Sequence, residues 1–177
     1  PYYTERIHDY DSNVNDITTW QASNYVPVNL VSDSLITVGK YKDRILGIGV
    51  TSIEKFSNAG NSFGSVLISD KAALLNIGCS SETIIQTNDY LFFVGPSTLN
   101  PGIWMMTSNG VKKISTSEID GNLSGSGVFS NSIWSLYYAG YTYLLLFASS
   151  GVIFLYCAEL DSWNQQTFTT PILGASS

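Results

Sequence analysis

The feature that most limits what this chain can fold into is a strand-rich unit that recurs along it. Asp43-Arg-Ile-Leu-Gly47 overlays Asp89-Tyr-Leu-Phe-Phe93 and then Gly140-Tyr-Thr-Tyr-Leu144, at offsets of 46 and 51 residues. Short apolar runs surround each copy, rich in the β-branched and aromatic residues that suit a pleated surface. The first unit reads Leu35–Val38, Arg44–Gly49, Ser52–Phe56 and Ser65–Ser69. The second reads Thr83–Gln86, Tyr90–Gly95, Gly102–Thr107 and Val111–Ser115. The third reads Ser132–Tyr138, Tyr141–Phe147, Gly151–Cys157 and Trp163–Thr169. A period of ~40–50 residues with four strands per unit marks a β-propeller. Several of these strands are apolar on successive residues, as expected when both faces of a sheet are covered.

The repeat therefore predicts an all-β chain of four-stranded antiparallel blades. Residues 1–34 read as a lead-in segment and the end of a preceding blade, and the blades fall at about 35–82, 83–131 and 132–170. Three blades do not close a ring, since propellers use about four to eight. The chain, which starts at Pro1 and ends at Gly174-Ala-Ser-Ser177, accordingly reads as the ordered part of a longer protein. The rival architecture is a β-sandwich of about twelve strands.

Turn chemistry supports the units. Lys40-Tyr-Lys-Asp43 and Thr87-Asn-Asp89 each join two apolar runs. Ser108-Asn-Gly110 is a hairpin signal, because Asn-Gly tolerates the positive φ angles of a type I′ turn. The loop Pro96–Pro101 keeps both prolines out of any ladder. One helical patch stands out. Ser115-Thr-Ser-Glu118 has the spacing of a capping box, with Ile119 and Leu123 on one face. Gly121 and Gly125 limit the expected helix to a turn or two.

Gly121 to Ala158 holds no charged residue, and length alone would allow a membrane helix. Ala139-Gly140 and Ser149-Ser150-Gly151 cut the run into strand-length pieces, and hairpin turns inside a bilayer would leave backbone groups unpaired. No membrane span is expected. Strands also explain the composition. Charged residues are 12%, about half the usual ~25%. Ser, Thr and Asn number 25, 14 and 13, so the polar surface is carried by hydroxyls and amides. Apolar content of 44% excludes a disordered chain. A net charge of −6 argues against a surface that grips nucleic acid.

The residues that could carry chemistry do not assemble. Cys79 and Cys157 lie in apolar surroundings and read as two buried free thiols in a reducing compartment, with a single disulfide between them as the alternative. Together with His8 they give no cluster with zinc-ligand spacing. Gly47-Ile-Gly49-Val-Thr-Ser52 lacks the last Gly of a dinucleotide fingerprint and precedes a strand, so it is a blade turn. Asp9 and Asp11 flank His8, yet no nucleophile is placed by any signal, and the segment reads as solvated. Glycoside cleavage needs two Asp/Glu on one cleft wall; Asp9, Asp11 and Asp16 are near in sequence but sit in a polar lead-in rich in Asn and Ser. Asn13–Trp20 is a degraded echo of the Asp-box of sialidase propellers. Asn122-Leu-Ser124 is a chance-level glycosylation triplet, and Lys112-Lys113 reads as a solvated edge. No catalytic, cofactor-binding or metal-binding residue is assigned. Trp104 and Trp134 each follow an apolar residue in an apolar strand and are expected to be buried between blades.

An ordered set of short motifs points to a family. Asn15-Asp-Ile-Thr-Thr-Trp20 is followed by Ser32-Asp33-Ser-Leu-Ile36 and then by Lys40–Gly49. Ser52-Ile-Glu-Lys-Phe56 and Asn58-Ala-Gly60 come next, then Ile77-Gly-Cys79 and Asp89–Gly95. Gly102-Ile-Trp104, Asn109-Gly110 and Ile114–Ile119 complete the series. In order and spacing these resemble the packaged-DNA stabilisation proteins of short-tailed bacteriophages, the tail hub or nozzle β-propellers, over about residues 15 to 170. The resemblance implies a non-enzymatic virion tail component that forms a homo-oligomeric, six-fold ring below the portal. Its implied partners are the portal or adaptor protein and distal tail proteins, with packaged DNA passing through the channel unbound by sequence. It implies no cofactor. The alternatives are a glycan-binding or glycan-cleaving propeller, which needs exposed aromatic shelves and paired carboxylates in one cleft, and a generic protein-interaction propeller.

Overall fold

The computed structural model describes residues 8–10, 18, 25–27, 33–60, 65–80, 84–95, 102–126, 133–147 and 152–167. Two short strands, β1 (His8–Tyr10) and β2 (Tyr25–Pro27), pair antiparallel. Three four-stranded sheets follow in chain order. The first holds β3 (Leu35–Tyr41), β4 (Arg44–Gly49), β5 (Ile53–Asn58) and β6 (Leu67–Ser69). The second holds β7 (Ile84–Gln86), β8 (Leu91–Gly95), β9 (Gly102–Thr107) and β10 (Gly110–Lys113). The third holds β11 (Ile133–Tyr138), β12 (Tyr141–Phe147), β13 (Val152–Cys157) and β14 (Ser162–Thr167). Every sheet is an antiparallel meander whose spatial order is its sequence order. β7 packs against β3 on one side and β11 on the other, so the first strands of the sheets lie side by side. These are β-propeller blades, and the three described sheets do not close a ring.

The middle blade shows why its strands are apolar on both faces. Leu91 pairs with Met106 and Phe93 with Trp104, and all four pack toward the first blade with Leu46, Ile48 and Ile53. Phe92 pairs with Met105, and with Ile103 they pack toward Leu144, Leu146, Phe154 and Tyr156 of the third blade. Successive residues of a strand point to opposite faces. Each face of the middle blade is therefore the wall of a separate core. All five residues of β8 are buried in consequence.

The third blade does not repeat this. Its face toward the second blade, built from Thr142, Leu144, Leu146, Phe154 and Tyr156, is buried. Its other face carries Trp134, Leu136 and Tyr138 from β11, opposite Leu145, Tyr143 and Tyr141 of β12. Trp134 is 63% exposed, against the expectation of burial. It lies on the face that no described blade covers. Trp104 is half-buried against the core between the first two blades, with its indole lying across Gly95, where a side chain would collide with it.

Local structure corrects the sequence reading in two further places. The helix α1 runs Ser117–Ser126, ten residues, so Gly121 and Gly125 do not stop it early. Its buried Ile119 and Leu123 join the core between the second and third blades, and this packing outweighs the cost of two glycines. Ser115 does not cap it. The Ser115 hydroxyl instead accepts the Ile103 N–H at 2.9 Å and donates to Asp120 at 2.6 Å, while Thr116 Oγ1 faces the Ile119 N–H at 3.5 Å. The hairpin at Ser108–Gly110 forms, but Thr107 pairs with Gly110, so Ser108 and Asn109 make the turn and only Gly110 has positive φ, at 123°. The positive φ pair that a type I′ turn needs is found at Ala139 and Gly140, at 51° and 87°.

The uncharged run is β11, β12 and β13, and among the described residues no helix is long and apolar enough to cross a membrane. The segment 96–101, the Asp-box echo apart from Thr18, and Asp11 lie outside the described residues.

Candidate functional surfaces

The seams between blades carry the polar groups with the most specific geometry. Between the first and second blades, the Tyr41 hydroxyl donates to the Asp89 carbonyl at 3.0 Å and closes one end of the seam. Burial, with the Asp89 charge nearby, holds this phenol above its ordinary range. Where the chain enters the first blade, the Asp33 carboxylate accepts five bonds. The donors are the Ser34, Thr51 and Ser52 amides and the Thr51 and Ser52 hydroxyls, at 2.7–3.1 Å. Burial pushes its pKa up, but the donors together pull it below the ordinary value. Asp33 thus ties the entry strand to the turn between β4 and β5.

The seam between the second and third blades is tied at its outer end. Trp163 Nε1 donates to the Ile114 carbonyl at 2.6 Å, and its ring packs against Tyr156. Tyr156 meets Phe92 edge to face, at 6.5 Å between centroids. The Tyr156 hydroxyl donates to Asp161 at 2.5 Å, and Lys112 bridges to the same carboxylate at 2.7 Å. Burial and the bond to Asp161 push the Tyr156 phenol far above its normal range. The bonds from Lys112 and Tyr156 hold Asp161 low. Asp161 sits at φ 50°, a left-handed turn position that Asp tolerates.

Lys112 and Lys113 lie exposed on β10, the edge strand of their sheet, as the sequence suggests, and each also makes an ion pair. Lys112 crosses the seam to Asp161, and Lys113 pairs with Asp120 of α1 at 2.5 Å. The sequence could not show either contact, because Asp161 is 49 residues from Lys112 and the side of α1 that meets Lys113 depends on how the helix packs.

The inner end of this seam is open. A cleft of about 290 Å³ lies between the turn Gln86–Asp89 and the strands β11 and β12. Ser135, Leu136, Tyr137 and Thr142 form its other wall. None of these positions was singled out as a site from the sequence. Two Tyr residues of β11, Tyr137 and Tyr138, are 73% and 68% exposed.

The candidates for chemistry remain apart. Cys79 and Cys157 are buried and form no disulfide, Cys79 in the core between the first two blades and Cys157 at the end of β13. Cys157 Sγ lies 3.8 Å from Glu159 Oε2, whose carboxylate also accepts the Thr142 N–H at 2.8 Å. Among the described residues no group of three or more His, Cys, Asp or Glu could hold a metal ion. His8 and Asp9 fall on β1, Asn122 on α1, and their side chains lie outside the described residues.

Four-stranded meanders, first strands side by side and cores on both faces of the middle sheet define a β-propeller. The family model Phage_stabilise, described as bacteriophage P22 Gp10, beta-propeller, matches residues 8–139. The chain belongs to this family of bacteriophage structural proteins. The sequence matches none of the curated proteins with which it was compared.

Proposed function

We propose that the chain is part of a non-enzymatic component of a short-tailed phage tail, a hub or nozzle ring beneath the portal that helps retain packaged DNA and guide its ejection. Family membership across residues 8–139 is the observation that carries this reading. The blade seams support it. A channel component must stay rigid under load, and two apolar cores with hydrogen-bonded rims stiffen a stack of sheets. A net charge of −6 disfavours adhesion to phosphates, so DNA would slide past without sticking. Ring closure would come from head-to-tail contacts with further copies, and the portal or adaptor and distal tail proteins would bound the ring above and below. The blade limits 35–82, 83–131 and 132–170 belong to the same proposal.

The test is genetic and biochemical. Particles assembled without this protein should package DNA and then lose it, leaving capsids that release nuclease-sensitive DNA. Particles that retain their DNA and eject it normally would contradict the proposal.

A further inference from the structure

The inner cleft between the second and third blades exists because one residue of the repeat changes size. Tyr41 and Thr87 are equivalent, 46 residues apart in the repeat. Tyr41 spans its seam and bonds to the next blade. Thr87 cannot reach, and its hydroxyl is used within its own turn, donating to the Tyr90 carbonyl and accepting the Tyr90 N–H, each at 3.1 Å. The seam that Tyr41 fills is left open one blade later, as a cleft of about 290 Å³. That is the small end of the ligand-pocket range, about 300–1,000 Å³, and suits one or two rings.

The lining selects the chemistry. Gln86, Asn88, Ser135, Tyr137 and Thr142 carry amides and hydroxyls, each able to donate and accept. Tyr137, 73% exposed, adds an aromatic face with a polar edge. Among the described lining residues Asp89 is the single carboxylate, and no Lys, Arg or His contributes. A phosphate or other anion finds no counter-charge there. A neutral ring bearing several hydroxyls matches two-way hydrogen-bonding groups around an aromatic face. We infer that this cleft binds one neutral sugar unit. The Glu159 carboxylate bonds to the Thr142 N–H, and Asp89 is the one carboxylate among the described lining residues; glycoside hydrolysis uses two, so the inferred role is binding alone. The inference stands on the cleft alone and is independent of the tail assignment.

Saturation-transfer NMR on the protein with methyl glucoside, methyl galactoside and methyl N-acetylglucosaminide tests it, with sialic acid and lysine as anionic and cationic comparators. At least one neutral glycoside should give transfer, and its titration should shift the amides of Thr87, Asp89 and Tyr137. Thr87→Tyr, which restores the plug of the preceding seam, and Ser135→Tyr, which fills the opposite wall, should each weaken binding at least about tenfold. Absence of transfer from all three glycosides, shifts confined to other residues, undiminished binding in both filled variants, or preference for sialic acid or lysine would each overturn the inference. The shift map of the unaltered protein decides the matter even if a filled variant fails to fold.

Discussion

Trp163 donates its indole N–H to the main-chain carbonyl of Ile114 at 2.6 Å, from the last strand of the third blade to the end of the second. The bond joins residues 49 apart in sequence and lies at the rim of a core containing Phe92, Met105, Leu144 and Phe154. It makes the seam directional: sheets that slid past each other would lose the bond before they lost apolar contact. Trp163→Phe keeps a ring against Tyr156 and removes only the donor. The unfolding free energy should fall by about 1–3 kcal/mol, the cost of leaving a part-buried carbonyl unpaired. A denaturant midpoint unchanged by this substitution would show that water replaces the indole without loss.

The neighbouring ion pair is worth less. Lys112 and Asp161 are 44% and 62% exposed at their side chains. Lys112→Ala should cost less than about 1 kcal/mol, and the cost should shrink further in high salt. Thermal melts at low and high ionic strength check this, and a salt-independent loss would point to packing of the lysine stem instead.

Repeat-equivalent positions should differ in energy according to the blade that covers them. Leu46, Phe92 and Tyr143 align in the repeat, each on the face toward the next blade. Leu46 and Phe92 are 0% and 1% exposed, whereas Tyr143 is only part-covered. Leu46→Ala should cost about 2–5 kcal/mol and Phe92→Ala about 3–5 kcal/mol. Tyr143→Ala should cost the least of the three, and Trp134→Ala should stay within about 0.5 kcal/mol, as at other surface sites. Equal losses at all four positions, read from urea midpoints, would mean that the third face is covered in solution.

Asp33 gives the fold an acid-sensitive joint. Its donors lower its pKa below the ordinary 3.8. A carboxyl depressed in the folded state contributes stability above its unfolded pKa and loses it as pH falls through the folded value. Asp33→Asn should therefore cost about 1 kcal/mol near neutral pH, and the gap between variant and parent should close below about pH 4. A gap that widens on acidification would reverse the sign of the argument.

Much of the architecture was legible because the blades bury both faces. Residues such as Leu91 to Val94, apolar one after another, can satisfy the pleat only with a sheet on either side. Strand ends were read to within a few residues for the same reason. Contacts between units were not legible. The partners of Lys112 and Trp163 lie across a seam, and the role of Ser115 depends on where Ile103 and Asp120 come to rest. Trp134 was misjudged because an apolar strand looks the same whether or not a further blade covers it. The cleft was invisible for a subtler reason. It arises from a difference between two turns, Tyr41 in one and Thr87 in the next, and only the seam geometry shows what that difference opens.

The isolated protein should bind duplex DNA no tighter than ~10⁻⁴ M at physiological salt, the weak end of non-specific binding. Fluorescence anisotropy with a labelled duplex measures this. Micromolar binding with a steep salt dependence would mean that basic residues are gathered on the DNA-facing side.

The most direct measurement of the central claim is electron microscopy of purified virions carrying a tag on this protein. The tag density should fall on the axial tail, as a ring between the portal and the distal tail proteins. Density on the capsid shell or on a host-receptor fibre would contradict the assignment.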